Sequence, residues 1–154
     1  MDLAEQLVVF YLDGQRYGLR LSTVERVVRA VEVTPLPAAP EIVLGVINVE
    51  GRIIPVVNVR RRFRLPEKET SLSDHLIIAR TARRKVALVA DSVSGIVDAP
   101  SAVVIDASEI LPQIEYVEGV AKLEDGMALI HDLDRFLSLE ENRALDEVIK
   151  PLNG

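Results

Sequence analysis

Two stretches of the chain share one pattern: GVINVEGRIIPVVNVRRRF at residues 45–63 and GVAKLEDGMALIHDLDRF at residues 119–136. Each begins with Gly-Val, reaches a turn with Glu and Gly, returns through an apolar run and ends on Arg-Phe. The offset of about seventy residues is too long for a solenoid repeat and suits a small β-barrel. Any two β-hairpins look alike, but a hairpin does not require the Arg-Phe ending. We therefore predict two similar subdomains in one chain.

The composition bounds the class of protein. The chain has 154 residues, of which 49% are hydrophobic and only 4% aromatic, and it has no Trp. A core made mostly of Val, Ile and Leu favours strands. Cysteine is absent, which excludes a disulfide scaffold, a thiol nucleophile and thiolate metal ligands, and fits a reducing cytoplasm.

Charge and hydropathy argue against two classes of partner. The net charge of −6 disfavours contact with nucleic acid, because an acidic surface repels phosphates. The Arg60-Arg61-Arg62 run is the main basic cluster, and it indicates a solvated turn or a surface for an acidic protein more than a nucleic-acid patch. The N-terminus has no signal-peptide pattern, and the longest apolar stretches have the length of strands, so we expect no insertion into a membrane.

Short apolar runs separated by turn signals predict an all-β architecture with minor helix. Hairpins are expected about Asp13-Gly14, about Glu50-Gly51, across the basic turn Thr81–Arg84, and about Glu124–Gly126. Short helical turns are expected at residues 22–28, opened by a capping box of Ser22 and Glu25, and at residues 92–97. A second capping box, Ser138 with Glu141, predicts a C-terminal helix to about Ile149, ahead of Pro151. The polar segment Leu65–Ser73 is expected to link the halves or to form a mobile loop.

No residue set indicates catalysis. His75 and His131 are the only histidines, and His131 precedes Asp132, a pair that could orient a general base. However, the chain has no Gly-x-Ser-x-Gly, no glycine-rich phosphate loop and no calcium-loop spacing. We therefore predict a binding module with no enzymatic activity, no cofactor and no metal. A small β-barrel enzyme or ligand-binding protein, the alternative class, would need a polar pocket with convergent titratable groups.

Residues 45–60 resemble the signature of the CheW-like chemotaxis adaptor family. In that family Gly-Val-Ile-Asn-Leu-Arg-Gly precedes an apolar run with Pro and then Asp-Leu-Arg. The similarity extends in order over nearly the whole chain, through Phe10–Leu12, Tyr17–Leu19, Thr34–Pro40, Leu88–Val93 and Glu115–Val120.

The resemblance implies one CheW-like domain over residues 1–154, built from two packed SH3-like five-stranded β-barrels. We expect subdomain one at about 7–65, subdomain two at about 74–137 and the C-terminal helix at about 138–150. It also implies an adaptor, not an enzyme, that couples the cytoplasmic tip of methyl-accepting chemoreceptors to the regulatory domain of the histidine kinase CheA. Such a protein would be cytoplasmic and recruited to receptor arrays at the inner membrane. The alternative is a CheW-like scaffold in a non-flagellar or accessory chemosensory pathway.

The resemblance further implies an apolar groove between the subdomains that takes the receptor tip. It maps to Val24 and Val27 in the first half and to Val93 and Ile96 in the second. We expect Val24 and Val93 to be exposed, whereas Val27 and Ile96 could equally be core. The residues of the neighbouring motif turns are Gly45, Asn48, Gly51 and Gly119.

Two positions depart from the family pattern. The family usually has Arg where this chain has Glu50, and an acid where this chain has Arg26. We hypothesise that the two side chains face each other as a pair of reversed sign, and we count both among the residues of the receptor-binding groove. An exposed pair of this kind contributes only about 0–1 kcal/mol to stability, so its larger effect would be on the choice of partner. The alternative is drift at a tolerant surface position.

Overall fold

The computed structural model describes residues 5–99, 104–106, 117–123 and 126–153. These residues form strands and two α-helices, joined by 3-10 turns at Leu21–Thr23 and Leu133–Arg135. The strands are β1 Glu5–Leu12, β2 Gln15–Arg20, β3 Val24–Arg29, β4 Val43–Val49, β5 Arg52–Val57, β6 His75–Arg80, β7 Lys85–Ala90, β8 Ser92–Ala99, β9 Val104–Asp106, β10 Val117–Leu123 and β11 Gly126–His131. The helices are α1 Val59–Arg62 and α2 Leu139–Asn153. The predicted all-β class with a C-terminal helix is confirmed.

The two sheets repeat one strand order. One sheet runs β3-β6-β7-β5-β4, and the other runs β8-β1-β2-β11-β10 with the short β9 added at its edge. Each sheet has a single parallel pairing at the same place in this order, between β5 and β7 and between β11 and β2. The internal repeat found in the sequence is therefore a repeat of topology as well.

The predicted division into residues 7–65 and 74–137 is wrong, because each sheet takes strands from both halves of the chain. The hairpin β1–β2 lies in the sheet completed by β8, β10 and β11, whereas β6–β7 lies in the sheet of β3, β4 and β5. In each half the strand that follows the first hairpin leaves it and pairs with the first hairpin of the other half. A repeat in sequence identifies equivalent strands but carries no information about which copy each strand pairs with.

The predicted short helical turns are also wrong. Residues 24–29 and 92–99 are the strands β3 and β8, and the only helical turn there is Leu21–Thr23. The capping box is absent, since no side chain caps that turn and Glu25 instead pairs with Arg80 at 3.7 Å and Lys85 at 3.1 Å. Valines such as Val24 and Val27 lose rotamer freedom in a helix and pack well in a strand, so tertiary pairing outweighs a weak capping signal.

The tight turns about Asp13-Gly14 and Glu50-Gly51 follow the prediction, whereas Glu124 and Asp125 of the predicted turn between β10 and β11 lie outside the described residues. Asp13 and Gly14 have φ values of 53° and 78°, and Glu50 and Gly51 have values of 51° and 86°. Two successive residues with positive φ are the geometry of the type I′ turn, which matches the twist of a hairpin. The hairpin across Thr81–Arg84 is likewise confirmed, between β6 and β7.

One hydrophobic cluster joins the two sheets and α2. We call it the central cluster; its largest fully buried members are Phe10, Leu12, Leu19, Ile77, Leu88, Phe136 and Leu145. The helix is fixed over it by the predicted capping box, in which Glu141 N donates to Ser138 Oγ at 3.1 Å and Ser138 N donates to a Glu141 carboxylate oxygen at 2.8 Å. The helix continues through Pro151, where the sequence predicted its end. No helix in the described ranges is long and apolar enough to cross a membrane.

Candidate protein-binding site

Val24 and Val27 lie on β3, which is an edge strand of the five-stranded sheet. Val24 is opposite Ala79 and Val27 is opposite Ile77 on the neighbouring strand β6. Directly opposed residues of an antiparallel pair point to the same face of the sheet. Because Ile77 and Ala79 belong to the central cluster, both valines lie on the face that the cluster covers.

Val93 and Ile96 hold the equivalent places on β8, the edge strand of the other sheet. Val93 is opposite Phe10 of the central cluster, and Ile96 is opposite Val8, two residues earlier on the same face of β1. The four predicted groove residues therefore lie on the two sheet faces that meet at the central cluster. We call Val27 and Ile96, the exposed pair among them, the apolar edge surface.

The expected pattern of exposure was wrong. Val24 and Val93 are half-buried and pack against the central cluster, whereas Val27 is 38% exposed and Ile96 is 57% exposed. The expectation rested on helical turns that placed Val24 and Val93 outward. Val24 is the first residue of β3 and Val93 is the second residue of β8. Both pack against the cluster, whereas Val27 and Ile96 farther along the edges stay accessible.

Arg26 and Glu50 form the hypothesised pair. Arg26 Nη1 lies 2.9 Å from Glu50 Oε1, and the two side chains are 46% and 71% exposed. The β4–β5 turn that carries Glu50 is thus connected to β3, the strand that carries Val27. At this exposure the ion pair is a surface feature, so it contributes about 0–1 kcal/mol to stability and is accessible to a partner.

The motif residues of this turn have defined backbone roles. Asn48 Oδ1 accepts a hydrogen bond from Gly51 N at 2.8 Å across the tight turn. Gly45 has a φ of 155°, and a Cβ there would lie 2.3 Å from the carbonyl oxygen of Thr34. The segment that joins β3 to β4 crosses β4 at this point, where Thr34 exchanges two backbone hydrogen bonds with Val46. Gly119 is buried in β10, opposite Ile130.

The arginine run does not form a free basic surface. Arg60 Nη2 lies 2.7 Å from Asp91 Oδ2, Arg61 Nη2 lies 2.9 Å from Glu41 Oε2, and Arg62 Nη2 lies 2.6 Å from Glu141 Oε2. Burial by itself would raise the pKa of Asp91, but the hydrogen bonds from Arg60 and from the Asp13 amide, together with the charges of Arg60 and Lys68, hold that pKa below its usual value. The run therefore joins α1 to neighbouring elements, and both roles considered for it, a solvated turn and a docking surface, are wrong for Arg60 and Arg62.

His131 is a core residue. Its side chain is 2% exposed, and neither ring nitrogen has a hydrogen-bond partner within the described residues. The rings of Phe63, Tyr17 and Phe136 lie 4.3, 4.7 and 5.0 Å from it, centroid to centroid. Burial lowers the pKa of His131 to about 3, so the imidazole is neutral.

Asp132 does not orient His131. Its carboxylate accepts from Asp134 N at 3.2 Å and lies 3.2 Å from Arg135 Nε. A buried imidazole without a carboxylate partner is not placed to act as a general base. The described part of the chain also contains no group of three His or carboxylate side chains that could hold a metal ion.

Comparison with known proteins identifies the family. Residues 6–141 match the sequence model of the CheW-like domain. The chain is 27% identical over 146 residues to the chemotaxis protein CheW of Treponema pallidum, covering 91% of this chain and 86% of that protein. It is 28% identical over 141 residues to the chemotaxis protein CheW of Rhizobium meliloti, covering 90% of this chain and 91% of that protein.

The fold is similar to that of a solved relative. The crystal structure of the scaffolding protein TtCheW from Thermoanaerobacter tengcongensis matches with a TM-score of 0.80 and 29% sequence identity. The match covers 90% of this chain and 96% of that chain. With the family match over residues 6–141, it follows that this chain belongs to the CheW-like domain family.

Proposed function

We propose that this protein is an adaptor that couples chemoreceptors to the histidine kinase CheA in chemotaxis signalling. Its relatives carry the names chemotaxis protein CheW and scaffolding protein. The observation that carries the proposal is the apolar edge surface, in which one exposed branched aliphatic residue lies on the edge strand of each sheet, on the face that also carries members of the central cluster.

A receptor tip suits this surface. The tip is a helical hairpin, and a helix docks by placing an apolar stripe against apolar side chains. Fully burying one branched aliphatic side chain contributes roughly 1.5–3 kcal/mol. Val27 and Ile96 lie on different sheets, so a helix that contacts both would be held in one orientation relative to the two subdomains.

The rest of the proposal concerns the second partner and the site of action. The protein binds the regulatory domain of the kinase on surfaces other than the apolar edge surface, and it acts by binding, without catalysis of its own. It works in the cytoplasm, at receptor arrays. Arg26 precedes Val27 in the sequence and pairs with Glu50. These two charges select receptors whose tip carries complementary charge at the contact.

The experiment that tests the proposal is a pull-down against a receptor-tip fragment and a kinase regulatory domain from the same genome. Val27→Asp and Ile96→Asp each place a charge on the apolar edge surface, and both positions are exposed enough to tolerate it. Met127→Asp is the matched control, because Met127 is 61% exposed on β11 and lies outside that surface. Val24 and Val93 are unsuitable, since a charge there would enter the core.

We expect the two surface variants to lose the receptor tip and to keep the kinase domain, while Met127→Asp keeps both. Burying one unpaired carboxylate in the contact should weaken tip binding by about tenfold or more. Tip binding at the unaltered level in both Val27→Asp and Ile96→Asp would contradict the proposal.

A further inference from the structure

An open cleft of about 520 Å³ lies between β5, the β6–β7 turn and the C-terminal half of α2. Its apolar lining comes from Ile53, Ile54, Pro55 and Ile149. The rest is mostly basic: Arg52, Arg80, Arg83, Arg84, Lys85 and Lys150, with Asp146 as the only carboxylate in the lining. A concentration of six cationic side chains is unexpected on a chain whose net charge is −6.

Half of these cations have no acidic partner among the residues that the structure describes. Arg84 pairs with Asp146, and both Arg80 and Lys85 pair with Glu25. In contrast, Arg52, Arg83 and Lys150 are exposed and make no ion pair with any described residue. The cleft therefore keeps a positive field after its internal ion pairs are counted.

The walls of the cleft are held in place by hydrogen bonds. In the β6–β7 turn, Thr81 Oγ1 accepts from Arg83 N at 3.2 Å and from Arg84 N at 3.1 Å. On the other side, Asn153 Oδ1 accepts from Ile53 N at 2.8 Å, and Asn153 Nδ2 donates to Ile53 O at 3.0 Å. A site that is already ordered loses less conformational entropy when it binds.

The lining favours an acidic protein segment over other anions. It has no glycine-rich loop to offer backbone N–H groups to a phosphate. It also has no aromatic side chain on which a base could stack, and the net acidic chain would repel a long nucleic acid. Carboxylates beside an apolar residue would match both the cationic rim and the apolar lining.

We propose that this cleft, the basic cleft, binds an acidic segment of a partner protein in which carboxylates flank an apolar residue. The basic cleft shares no lining residue with the apolar edge surface, so an adaptor could hold a receptor and this segment at once. The inference does not rest on the proposed function, because the charge and shape of the cleft are independent of what binds elsewhere.

Fluorescence anisotropy with a fluorescein-labelled peptide, Glu-Glu-Leu-Glu-Glu, tests the inference on the full chain at low salt. The matched peptide has Gln in place of each Glu. The cleft variant is the double substitution Arg52→Glu with Arg83→Glu. The control is Lys122→Glu with Arg143→Glu, which changes the net charge equally at two exposed basic positions outside the cleft. Lys150 is left unchanged because a cation there also stabilises the C-terminus of α2.

We expect the Glu peptide to bind and the Gln peptide to bind about tenfold more weakly or not at all. The cleft variant should lose the Glu peptide to the same degree, and the control variant should keep it. Circular dichroism verifies that each variant is folded, and Arg52→Gln with Arg83→Gln replaces the cleft variant if it is not.

Three results would overturn the inference. The first is an equal loss of Glu-peptide binding in the control variant, which would mean that the peptide responds only to the net charge of the protein. The second is equal binding of the Gln peptide. The third is tighter binding of pyrophosphate or of a labelled single-stranded oligonucleotide, lost in the cleft variant, which would identify a phosphate site instead.

Discussion

At the scale of single residues, His131 marks a chemical difference between the buried positions of the two repeats. Aligned on Gly45 and Gly119, the repeats place His131 where the first has Val57, and both side chains are buried. The first repeat thus has a branched aliphatic residue where the second has an imidazole inside an aromatic cluster. The effect of burying that imidazole on the free energy of unfolding depends on pH, because only the neutral form of the side chain is compatible with the site.

This difference predicts an acid-sensitive fold. The pKa of His131 is about 3 in the folded chain against an ordinary value of 6.5, so between these values the unfolded state binds a proton that the folded state does not. The free energy of unfolding should fall by about 1.4 kcal/mol per pH unit as the pH drops below 6.5, and this residue adds no slope above that pH. Urea titrations at a series of pH values, above the range where carboxylates titrate, measure the slope.

His131→Leu should remove this slope, and His75→Gln, which alters the other histidine, should keep it. A slope that persists in His131→Leu would mean that another group takes up the proton.

Residue-level features with a local cause were the most predictable from sequence. Asp13-Gly14 and Glu50-Gly51 form their turns because of their own backbone preferences, and Ser138 caps a helix with Glu141 three positions away. Gly45 was identified as a motif glycine, but the sequence did not show why glycine is needed there. A Cβ at this position would clash with the backbone of Thr34, which lies in the segment between β3 and β4. Burial of Val24 and exposure of Val27 could not be predicted while both were assigned to a helix.

At the scale of elements, the edge strands β3 and β8 carry the four apolar residues of the predicted groove. Their sequences contain valines at both helical and strand spacings, so periodicity alone did not separate the two structures. These segments are strands because each pairs with a hydrogen-bonded neighbour, β3 with β6 and β8 with β1. Both neighbours are distant in the sequence, so the local pattern does not reveal them. The pairing of Arg26 with Glu50 was predictable from charge reversal at two motif positions, and the structure confirms it.

The end of α2 offers an element-level prediction. Asn153 hydrogen-bonds both the N–H and the C=O of Ile53, as a neighbouring strand would. Asn153→Ala should cost about 1–3 kcal/mol in the free energy of unfolding, because it leaves two part-buried backbone groups without a partner. Hydrogen exchange at the Ile53 amide should accelerate in this variant.

Asn153→Asp is the matched control, since its carboxylate can still accept from the Ile53 amide. Exchange at Ile53 that is equally fast in Asn153→Asp and Asn153→Ala would show that the side-chain acceptor does not protect that amide.

At the scale of the whole molecule, the exchange of hairpins makes the two subdomains mutually dependent. The sheet of β3, β4 and β5 has β6 and β7 at its centre, and these strands come from the second half of the chain. Sequence predicted the class, the repeat and the strands of the hairpins because those follow from patterning and turns, but it assigned the edge strands β3 and β8 to helical turns. It could not predict the exchange, because equivalent strands of the two repeats present similar apolar patterns to either partner.

The exchange predicts that neither half folds alone. Cutting the gene between Glu69 and Thr70, in a segment outside the strands and helices, should give two fragments that are unfolded separately and fold when mixed. Circular dichroism and a single cooperative urea transition of the mixture would measure this. A folded N-terminal fragment by itself would contradict the exchanged topology.

The central claim is that one molecule of this protein connects a receptor to a kinase, and the direct measurement is a bridging assay. A receptor-tip fragment is immobilised and the kinase regulatory domain is added with and without this protein. The account predicts that the kinase domain is retained only when the protein is present, and that Ile96→Asp abolishes its retention while Met127→Asp does not. Retention that is the same with and without the protein, or no retention when each partner binds the protein separately, would contradict it.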